Sequence, residues 1–431
     1  MAKITEWNPE DEQFWASKGK KIANKNLYLS VYALILAFII WQLWSVVAVR
    51  LNDVGFDFTS GQLFTLAALP GLTGATFRLV YTFLPGMMGG KKTTLLTTGV
   101  LLIPAIGIGF AVQNPETSFM TMAILAAFCG LGGGNLASST SALNPFYPKK
   151  AKGTANGINV GIGNLGVSVV QFLTPIVIGF GFFGVMTGGG QVLPDGSEIY
   201  IQNAAFIWVI PIVLSFVLTL FFMDELPNTK QSVKSQLSVL KLKHTWIMAW
   251  LYIMCFGSFI GFGAAFPLII DSEFSAVDGV QYAFLGPLIG AALRPAGGWL
   301  SDKVGSGASV TFWTIIGMVL STLGILYFLN AENFIGFLLL FILLFAGTGI
   351  ANGSTFRMVP FIFEEKQSAP VMGLIAAFAA YGAYFIPEIF GTSIDATGSA
   401  NIALYIFVVY YLVSLFVCWF WYSRKNSGFD C

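Results

Sequence analysis

The chain has 431 residues, of which 56% are hydrophobic and only 10% are charged, and its mean hydropathy is +0.76. Ordinary soluble domains carry roughly 25% charged residues, so this composition excludes that class. The formal net charge of +1 provides no basic surface for nucleic acid, and we expect no such partner. Long continuous apolar runs, without strand-like alternation, exclude a membrane β-barrel and indicate a polytopic helical membrane protein.

Residues 1–25 are polar and charged, and no apolar core precedes the first long hydrophobic run, so they do not resemble a signal peptide. Pro9, Glu10 and Asp11 are typical of a helix start. Phe14 and Trp15 are residue types that lie at membrane surfaces. Two interpretations of residues 4–26 stay open, a short interfacial helix or an ordered cytoplasmic tail.

Twelve apolar segments follow, and each is long enough to cross a bilayer as a helix, which takes roughly 20 residues. Numbered as spans 1 to 12 in chain order, they cover residues 27–50, 60–85, 93–112, 118–146, 153–182, 203–223, 245–270, 279–300, 309–329, 334–361, 368–390 and 401–423.

The positive charges predict the orientation of these spans, because cytoplasmic loops carry an excess of lysine and arginine. If both termini are cytoplasmic, 19 of the 22 basic residues lie in the termini or in cytoplasmic loops. The three exceptions are Arg50, Arg78 and Arg294. The distribution therefore predicts twelve spans with both termini in the cytoplasm.

A polar segment near the middle of the chain divides the spans into two sets of six. The predicted domain organisation is an N-terminal cytoplasmic segment, a six-helix half, a cytoplasmic linker, a second six-helix half and a cytoplasmic tail. These cover residues 1–26, 27–223, 224–244, 245–423 and 424–431.

The two halves resemble each other at a nearly constant offset. Arg78 and Arg294 lie 216 residues apart, as do Gly89 and Gly305. Further pairs at 216 or 217 residues are Gly157 and Gly373, Gly166 and Gly382, Gly130 and Gly347, Gly132 and Gly349, and Asn135 and Asn352. Parallel repeats of six spans are typical of the major facilitator superfamily. We therefore predict an all-α membrane protein with twelve transmembrane helices in two pseudo-symmetric six-helix halves.

The loop between spans 8 and 9 supports this fold. Residues 298–305 (GWLSDKVG) resemble the cytoplasmic signature of that superfamily. The copy in the first half, residues 85–92, lacks the aspartate. We expect such segments to clamp neighbouring helix ends.

Arg78 and Arg294 stand inside spans 2 and 8, and a charge within a membrane helix marks a functional site by default. The sequence places no Asp or Glu at mid-span to neutralise either arginine. The missing negative charge is therefore expected on the substrate. Guanidinium groups can donate two parallel hydrogen bonds to a planar oxyanion, so a small planar anion bound by both arginines fits best.

Several segments resemble the nitrate/nitrite porter family, the NarK-type branch of the major facilitator superfamily. Span 5 contains a stretch similar to the family's nitrate signature, and span 11 has a related glycine-rich stretch. Similar segments are ITEWNPEDEQFW at the N-terminus, FRLVYTF around Arg78, GGNLASS at 133–139, HTWIMAWLYIMCFGSFIGF at 244–262 and RPAGGWLSD around Arg294.

The resemblance implies which side chains contact the anion. Arg78 and Arg294 would form the substrate clamp, Tyr252 and Asn164 would be polar contacts, and Phe256 would be an aromatic wall. Two positions depart from the family pattern. Leu136 stands where the family pattern often has phenylalanine, and Val160 stands where the family pattern has glycine.

The resemblance implies a carrier of nitrate and nitrite, and the lack of a proton relay favours an antiporter that works by alternating access. The chain has a single histidine, His244, at the start of span 7, and no evident proton relay within the spans. The alternatives are a proton-coupled nitrate symporter, a carrier of another small anion, or a non-transporting nitrate sensor. No catalytic dyad or nucleotide loop indicates an enzyme. The four cysteines lack metal-ligand spacing, so we expect neither metal nor cofactor.

The resemblance also implies the setting of the protein. We expect a multi-pass protein of the bacterial inner membrane, surrounded by lipid and functional as a monomer, with nitrate and nitrite as its small-molecule partners.

Overall fold

The computed structural model describes residues 4, 6–182, 188–193, 196–226, 238–274, 276–277, 280–425, 427–429 and 431. Within these residues the regular structure is helical apart from one short hairpin, in which Gln191–Val192 pairs antiparallel with Glu198–Ile199. The hairpin lies between spans 5 and 6, where we predicted no strand.

The helices up to the end of span 6 are Glu12–Phe14, Trp15–Gly19 (π-helical), Lys20–Gln42, Trp44–Arg50, Asn52–Val54 (3₁₀), Ser60–Tyr81, Leu84–Met88, Gly90–Gly99, Leu102–Ala111, Phe119–Leu143, Asn144–Phe146 (3₁₀), Lys149–Val177, Asn203–Phe206 and Val209–Phe222. The later helices are Ser238–Lys241 (3₁₀), Lys243–Tyr252, Ile253–Gly257 (π-helical), Ser258–Glu273, Val280–Ala283, Leu285–Val304, Gly307–Asn330, Phe334–Ile362, Glu365–Ala380, Gly382–Thr397, Asn401–Cys418 and Trp419–Ser423 (π-helical).

Eleven helical segments in the described part of the chain are long and apolar enough to cross a membrane. They coincide with every predicted span except span 8. Span 8 is also helical, as Leu285–Val304. Its lower hydropathy follows from Arg294, Asp302 and Lys303, which lie within this helix.

The helix of span 1 begins well before the predicted start of that span. It runs continuously over Glu12–Arg50. Asp11 caps it, because its Oδ1 accepts hydrogen bonds from the backbone N–H groups of Gln13 (2.9 Å) and Phe14 (3.1 Å). The charged residues before span 1 are therefore largely an extension of the span 1 helix.

Aromatic residues of the N-terminal segment pack against the protein itself. The indole Nε1 of Trp7 donates to the carbonyl oxygen of Pro145 at 3.0 Å. The rings of Phe14 and Trp15 contact Trp7 and Tyr147, with ring centres 5.1 and 5.6 Å apart. Of the two open interpretations, these contacts favour an ordered segment over a helix that lies on lipid.

The chain forms two compact units. Residues 1–57 and 73–232 belong to unit 1, and residues 58–72 and 233–431 belong to unit 2. The helix Ser60–Tyr81 contributes its first turns to unit 2 and its last turns, with Arg78, to unit 1. The predicted domain boundaries stay a prediction.

The two units share backbone features at the offset of the repeat. Gly89 and Gly305 both have positive φ angles, +92° and +79°, which favour glycine after a helix. A Cβ added at Gly132 or Gly349 would lie 2.2 or 2.1 Å from a carbonyl oxygen of a neighbouring helix in its own unit. The close helix packing thus leaves no space for a side chain at either of these two equivalent positions.

A carboxylate joins two helix ends in each unit. Such a contact was expected for the segments at residues 85–92 and 298–305. In unit 2, the Nε of Arg357 donates to Asp302 Oδ1 at 3.0 Å. In unit 1, Glu225 follows span 6 and accepts from the backbone N–H groups of Gly90 (2.9 Å) and Lys91 (3.2 Å) at the start of span 3. A carboxylate is stabilising at a helix N-terminus. Glu225 therefore supplies the negative charge that the first-half motif lacks.

Candidate functional site

The backbone position of Arg294 depends on a close approach of two helices in unit 2. Leu285–Val304 packs against Phe334–Ile362. A Cβ added at Gly353 would lie 2.1 Å from the carbonyl oxygen of Arg294, and one at Gly297 would lie 2.1 Å from that of Ile350. Small residues allow this approach, so Arg294 is held where the two backbones nearly touch.

The guanidinium of Arg294 makes few contacts with the rest of unit 2. Its Nη2 donates to the hydroxyl of Tyr252 at 3.3 Å, and its Cζ lies 5.5 Å from the centre of the Phe356 ring. Its Nη1 is buried and has no hydrogen-bond partner among the described residues, and within the same residues Arg294 forms no ion pair. A buried donor without a partner is costly. An acceptor from outside the chain would satisfy it.

Tyr252 contacts this arginine, and Phe256 follows Tyr252 one helical turn later and stacks on it. Tyr252 ends the helix Lys243–Tyr252, and the π-helical segment Ile253–Gly257 follows. Both rings are buried and stack with centres 5.6 Å apart and planes 8° apart. π-Helical turns are frequent at functional sites. The structure thus brings three predicted residues together in unit 2, namely Arg294, Tyr252 and Phe256.

The hydroxyl of Tyr252 has a further partner that we did not assign to the site from the sequence. It donates to Oδ1 of Asn352 at 2.8 Å, and both side chains are buried. The repeat pairs Asn352 with Asn135, and this pairing was the one signal in the sequence for its importance. The contact joins residues 100 positions apart, which spacing along one helix does not reveal.

Arg78 lies in unit 1, in the last turn of Ser60–Tyr81, and is fully buried. Its Nε donates to the carbonyl oxygen of Gly133 at 2.8 Å, and its Cζ lies 5.0 Å from the centre of the Trp41 ring. A Cβ at Gly133 would lie 2.6 Å from that indole. The glycine therefore keeps both the carbonyl and the aromatic ring next to Arg78.

Asn164 is also in unit 1, on the helix Lys149–Val177, and is 1% exposed. Its Oδ1 is buried without a hydrogen-bond partner among the described residues. The adjacent Gly163 faces Leu34 of the span 1 helix, with an added Cβ 2.7 Å from that side chain. Packing against span 1 therefore fixes the part of span 5 that carries Asn164.

The glycine-rich stretches of spans 5 and 11 have two different roles. Close helix approach was expected along both stretches, and it occurs at Gly166 and Gly382. An added Cβ there would lie 2.4 Å from a backbone atom of a neighbouring helix in the same unit. The expectation is wrong at Gly157 and Gly373, where a Cβ would meet no described heavy atom within 4 Å. The closely packed glycines, Gly166 and Gly382, correspond to each other in the repeat, and so do the open ones, Gly157 and Gly373.

The two departures from the family pattern both lie in unit 1. Leu136 is half-buried on Phe119–Leu143, and Val160 is buried on Lys149–Val177. Neither offers an aromatic ring. Within the predicted set of site residues, the aromatic surfaces are therefore those of Tyr252 and Phe256.

Comparisons with known proteins identify the family. The sequence profile described as Major Facilitator Superfamily matches residues 29–387. The nitrate/nitrite transporter NarU of Salmonella typhimurium is 43% identical, over 98% of this chain and 96% of its own length. The chain belongs to the nitrate/nitrite porter family of the Major Facilitator Superfamily. The family predicted from the sequence motifs is therefore confirmed.

Other relatives of this porter have similar names. The nitrate/nitrite transporter NarU of Escherichia coli is 39% identical over 98% of this chain and 96% of its own length. The probable nitrate/nitrite antiporter NarK2 of Thermus thermophilus is 40% identical over 99% of this chain and 98% of its own length. These relatives are transporters, so the chain is a membrane transporter and not an enzyme. Within the described residues, no cluster of three or more His, Cys, Asp or Glu side chains suits a metal ion.

Solved structures of other transporters share the fold of this porter. The D-xylose–proton symporter superposes with a TM-score of 0.72 at 13% identity, over 92% of this chain and 97% of that one. The nucleoside transporter NupG superposes with a TM-score of 0.64 at 12% identity, over 92% and 99% of the two chains. At such low identity the likeness concerns the fold alone. It confirms the predicted all-α major facilitator fold.

Proposed function

We propose that this porter exchanges nitrate and nitrite across the bacterial inner membrane by alternating access. Three relatives at 39% to 43% identity are named nitrate/nitrite transporters or antiporters. Their names supply the identity of the anions, and the name of the Thermus thermophilus relative, a probable antiporter, supports exchange.

The observation that best supports anion binding is the incomplete set of hydrogen-bond acceptors around the Arg294 guanidinium within the described part of the chain. Its buried Nη1 has no acceptor among the described residues, and its Nη2 reaches only a neutral hydroxyl there. A planar anion would accept hydrogen bonds from such a guanidinium in parallel. Within unit 2, Tyr252 and Phe256 would border the same anion.

We propose that Arg78 and Asn164 of unit 1 also bind the transported anion. Arg78 is anchored through its Nε, which donates to the carbonyl oxygen of Gly133. Asn164 would contribute its amide nitrogen, because an anion only accepts hydrogen bonds. The two arginines together carry two positive charges, and one bound nitrate or nitrite would reduce this to one.

Exchange of the two anions would be electroneutral. Nitrate and nitrite are both monovalent, so their exchange moves no net charge and requires no titrating group. His244, the single histidine, lies at the start of span 7, where its Nδ1 contacts the hydroxyl of Tyr422 at 3.0 Å. We further propose that both termini face the cytoplasm, as the distribution of basic residues predicts, and that the monomer is the functional form.

Anion selectivity tests the proposed substrates. In calorimetric titrations of the purified protein, we expect nitrate and nitrite to bind at one site and to displace each other. Sulfate and phosphate should not displace nitrate, because a tetrahedral, more highly charged anion does not match the planar donor geometry. Chloride at matched ionic strength serves as the control for simple charge. Equal displacement by sulfate, or no nitrate binding, would contradict the proposal.

A further inference from the structure

The hydroxyl group of Tyr252 has one proton and two lone pairs. Asn352 Oδ1 can only accept, so the proton of Tyr252 points toward Asn352, over an O–O distance of 2.8 Å. Arg294 Nη2 donates to a lone pair of the same hydroxyl at 3.3 Å. In this arrangement the hydroxyl offers no proton to an anion.

An anion and Asn352 therefore require the same proton. Nitrate and nitrite present only acceptor oxygens, so either can bind the Tyr252 hydroxyl only after its proton has left Asn352. This step rests on the proposed function, in which Tyr252 contacts the anion.

The surroundings of Tyr252 indicate how the proton would be redirected. Its ring stacks on Phe256 and packs on Phe356, with ring centres 5.6 and 4.6 Å away. Two aromatic neighbours thus hold the ring in place. Rotation of the Tyr252 hydroxyl about its C–O bond redirects the proton without moving the ring. Asn352 is buried, so its Oδ1 is not in contact with bulk water.

We propose that Asn352 is a positioning residue, which holds the Tyr252 proton while the site is empty and yields it to the bound anion. In the loaded site the Asn352 oxygen loses its acceptor role, and leaving a buried polar atom unsatisfied costs free energy. Asn352 therefore weakens anion binding. In an exchanger this favours release, because the anion must leave as readily as it enters.

A double-mutant cycle tests the competition directly. Asn352→Leu removes the acceptor and keeps the branched arrangement of side-chain heavy atoms, and Tyr252→Phe removes the proton. We expect Asn352→Leu to tighten nitrate binding by about twofold to tenfold, the range that one net hydrogen bond provides. In the Tyr252→Phe background the same change should leave the nitrate Kd unaltered. Weaker binding in Asn352→Leu, or the same effect in both backgrounds, would overturn the proposal.

A second variant gives a readout that a purely structural role would not change. Asn352→Asp keeps the shape and adds a carboxylate beside the Tyr252–Arg294 pair. Nitrate binding should weaken at neutral pH and recover as the carboxyl is protonated at lower pH. A nitrate Kd for Asn352→Asp that follows the parent across the pH series would also overturn the proposal, even if Asn352→Leu fails to fold.

The repeat provides the matched control. Asn135 corresponds to Asn352, but its Nδ2 donates to the carbonyl oxygen of Thr97 at 3.3 Å. The effect of Asn135→Leu on the nitrate Kd should therefore be additive with that of Tyr252→Phe.

The single variant Tyr252→Phe distinguishes the proposed anion site from the proposed role of Asn352. Unchanged nitrate binding in Tyr252→Phe would remove Tyr252 from the proposed anion site, whereas weakened binding without coupling to Asn352 would refute only the role of Asn352.

Discussion

Replacement of Arg294 by lysine should lower the affinity for nitrate by roughly tenfold to a hundredfold, although the positive charge is retained. Lysine lacks the planar fork that donates two parallel hydrogen bonds. It also loses the Nη1 that is buried without an acceptor among the described residues. The loss should appear as a higher nitrate Kd in calorimetric titration of the purified variant.

Arg78→Lys should weaken binding by a similar factor if both arginines bind the anion. A lysine has no Nε–H at the branch point, so the bond to Gly133 is lost together with the fork. Arg357→Lys is the matched control, because Arg357 pairs with Asp302 outside the proposed site. Each variant is compared with itself in the absence and presence of nitrate, and only the control should be stabilised by nitrate as the parent is. Unchanged nitrate affinity in either Arg78→Lys or Arg294→Lys would remove that arginine from the site.

Gly382→Ala should destabilise the protein strongly, whereas Gly373→Ala on the same predicted span should not. The new Cβ at Gly382 would lie 2.4 Å from the Cα of Gly257, just after Phe256. Overpacking of this kind costs about 1 to 3 kcal/mol. At Gly373 the Cβ enters open space, and alanine gains about 1 kcal/mol of helix propensity over glycine.

The same contrast should recur in unit 1, which makes the pairs a test of the repeat. Gly166→Ala places a Cβ 2.4 Å from the carbonyl oxygen of Ile35, and Gly157→Ala meets no described atom within 4 Å. Thermal unfolding of the four purified variants measures the effect. We expect Gly166→Ala and Gly382→Ala to unfold at clearly lower temperatures than their paired controls. Equal unfolding temperatures within a pair would contradict the assigned packing.

The spans and the two arginines were predictable because each depends on local composition. Continuous apolar runs specify membrane helices by length alone, and a charge inside one of them is conspicuous. The repeat then paired Arg78 with Arg294 without any knowledge of packing. Span 8 gives the weakest signal of this kind, because Arg294, Asp302 and Lys303 in Leu285–Val304 lower the hydropathy of that helix.

The contacts that join residues distant in the sequence were not predictable. Arg78 is held by a backbone carbonyl, at Gly133, and every residue of a chain has such a group. Tyr252 meets Asn352 from 100 residues away, and Glu225 reaches Gly90 from 135 residues away. Such contacts depend on which helices pack together and at what rotation. Periodicity within one helix does not specify either quantity.

The glycines illustrate the same limit. Gly157 and Gly166 belong to one glycine-rich stretch and read alike in the sequence. Only the neighbouring helix distinguishes them, since Gly166 meets a backbone carbonyl and Gly157 faces open space.

Counterflow of labelled nitrate in proteoliposomes tests the proposed exchange most directly. Vesicles loaded with nitrite, at equal pH on both sides, should accumulate external nitrate, and vesicles containing the Arg294→Lys variant should accumulate much less. Anion-free vesicles should take up little nitrate even when a proton gradient is imposed. Strong proton-driven uptake of nitrate into anion-free vesicles would contradict exchange and establish symport instead.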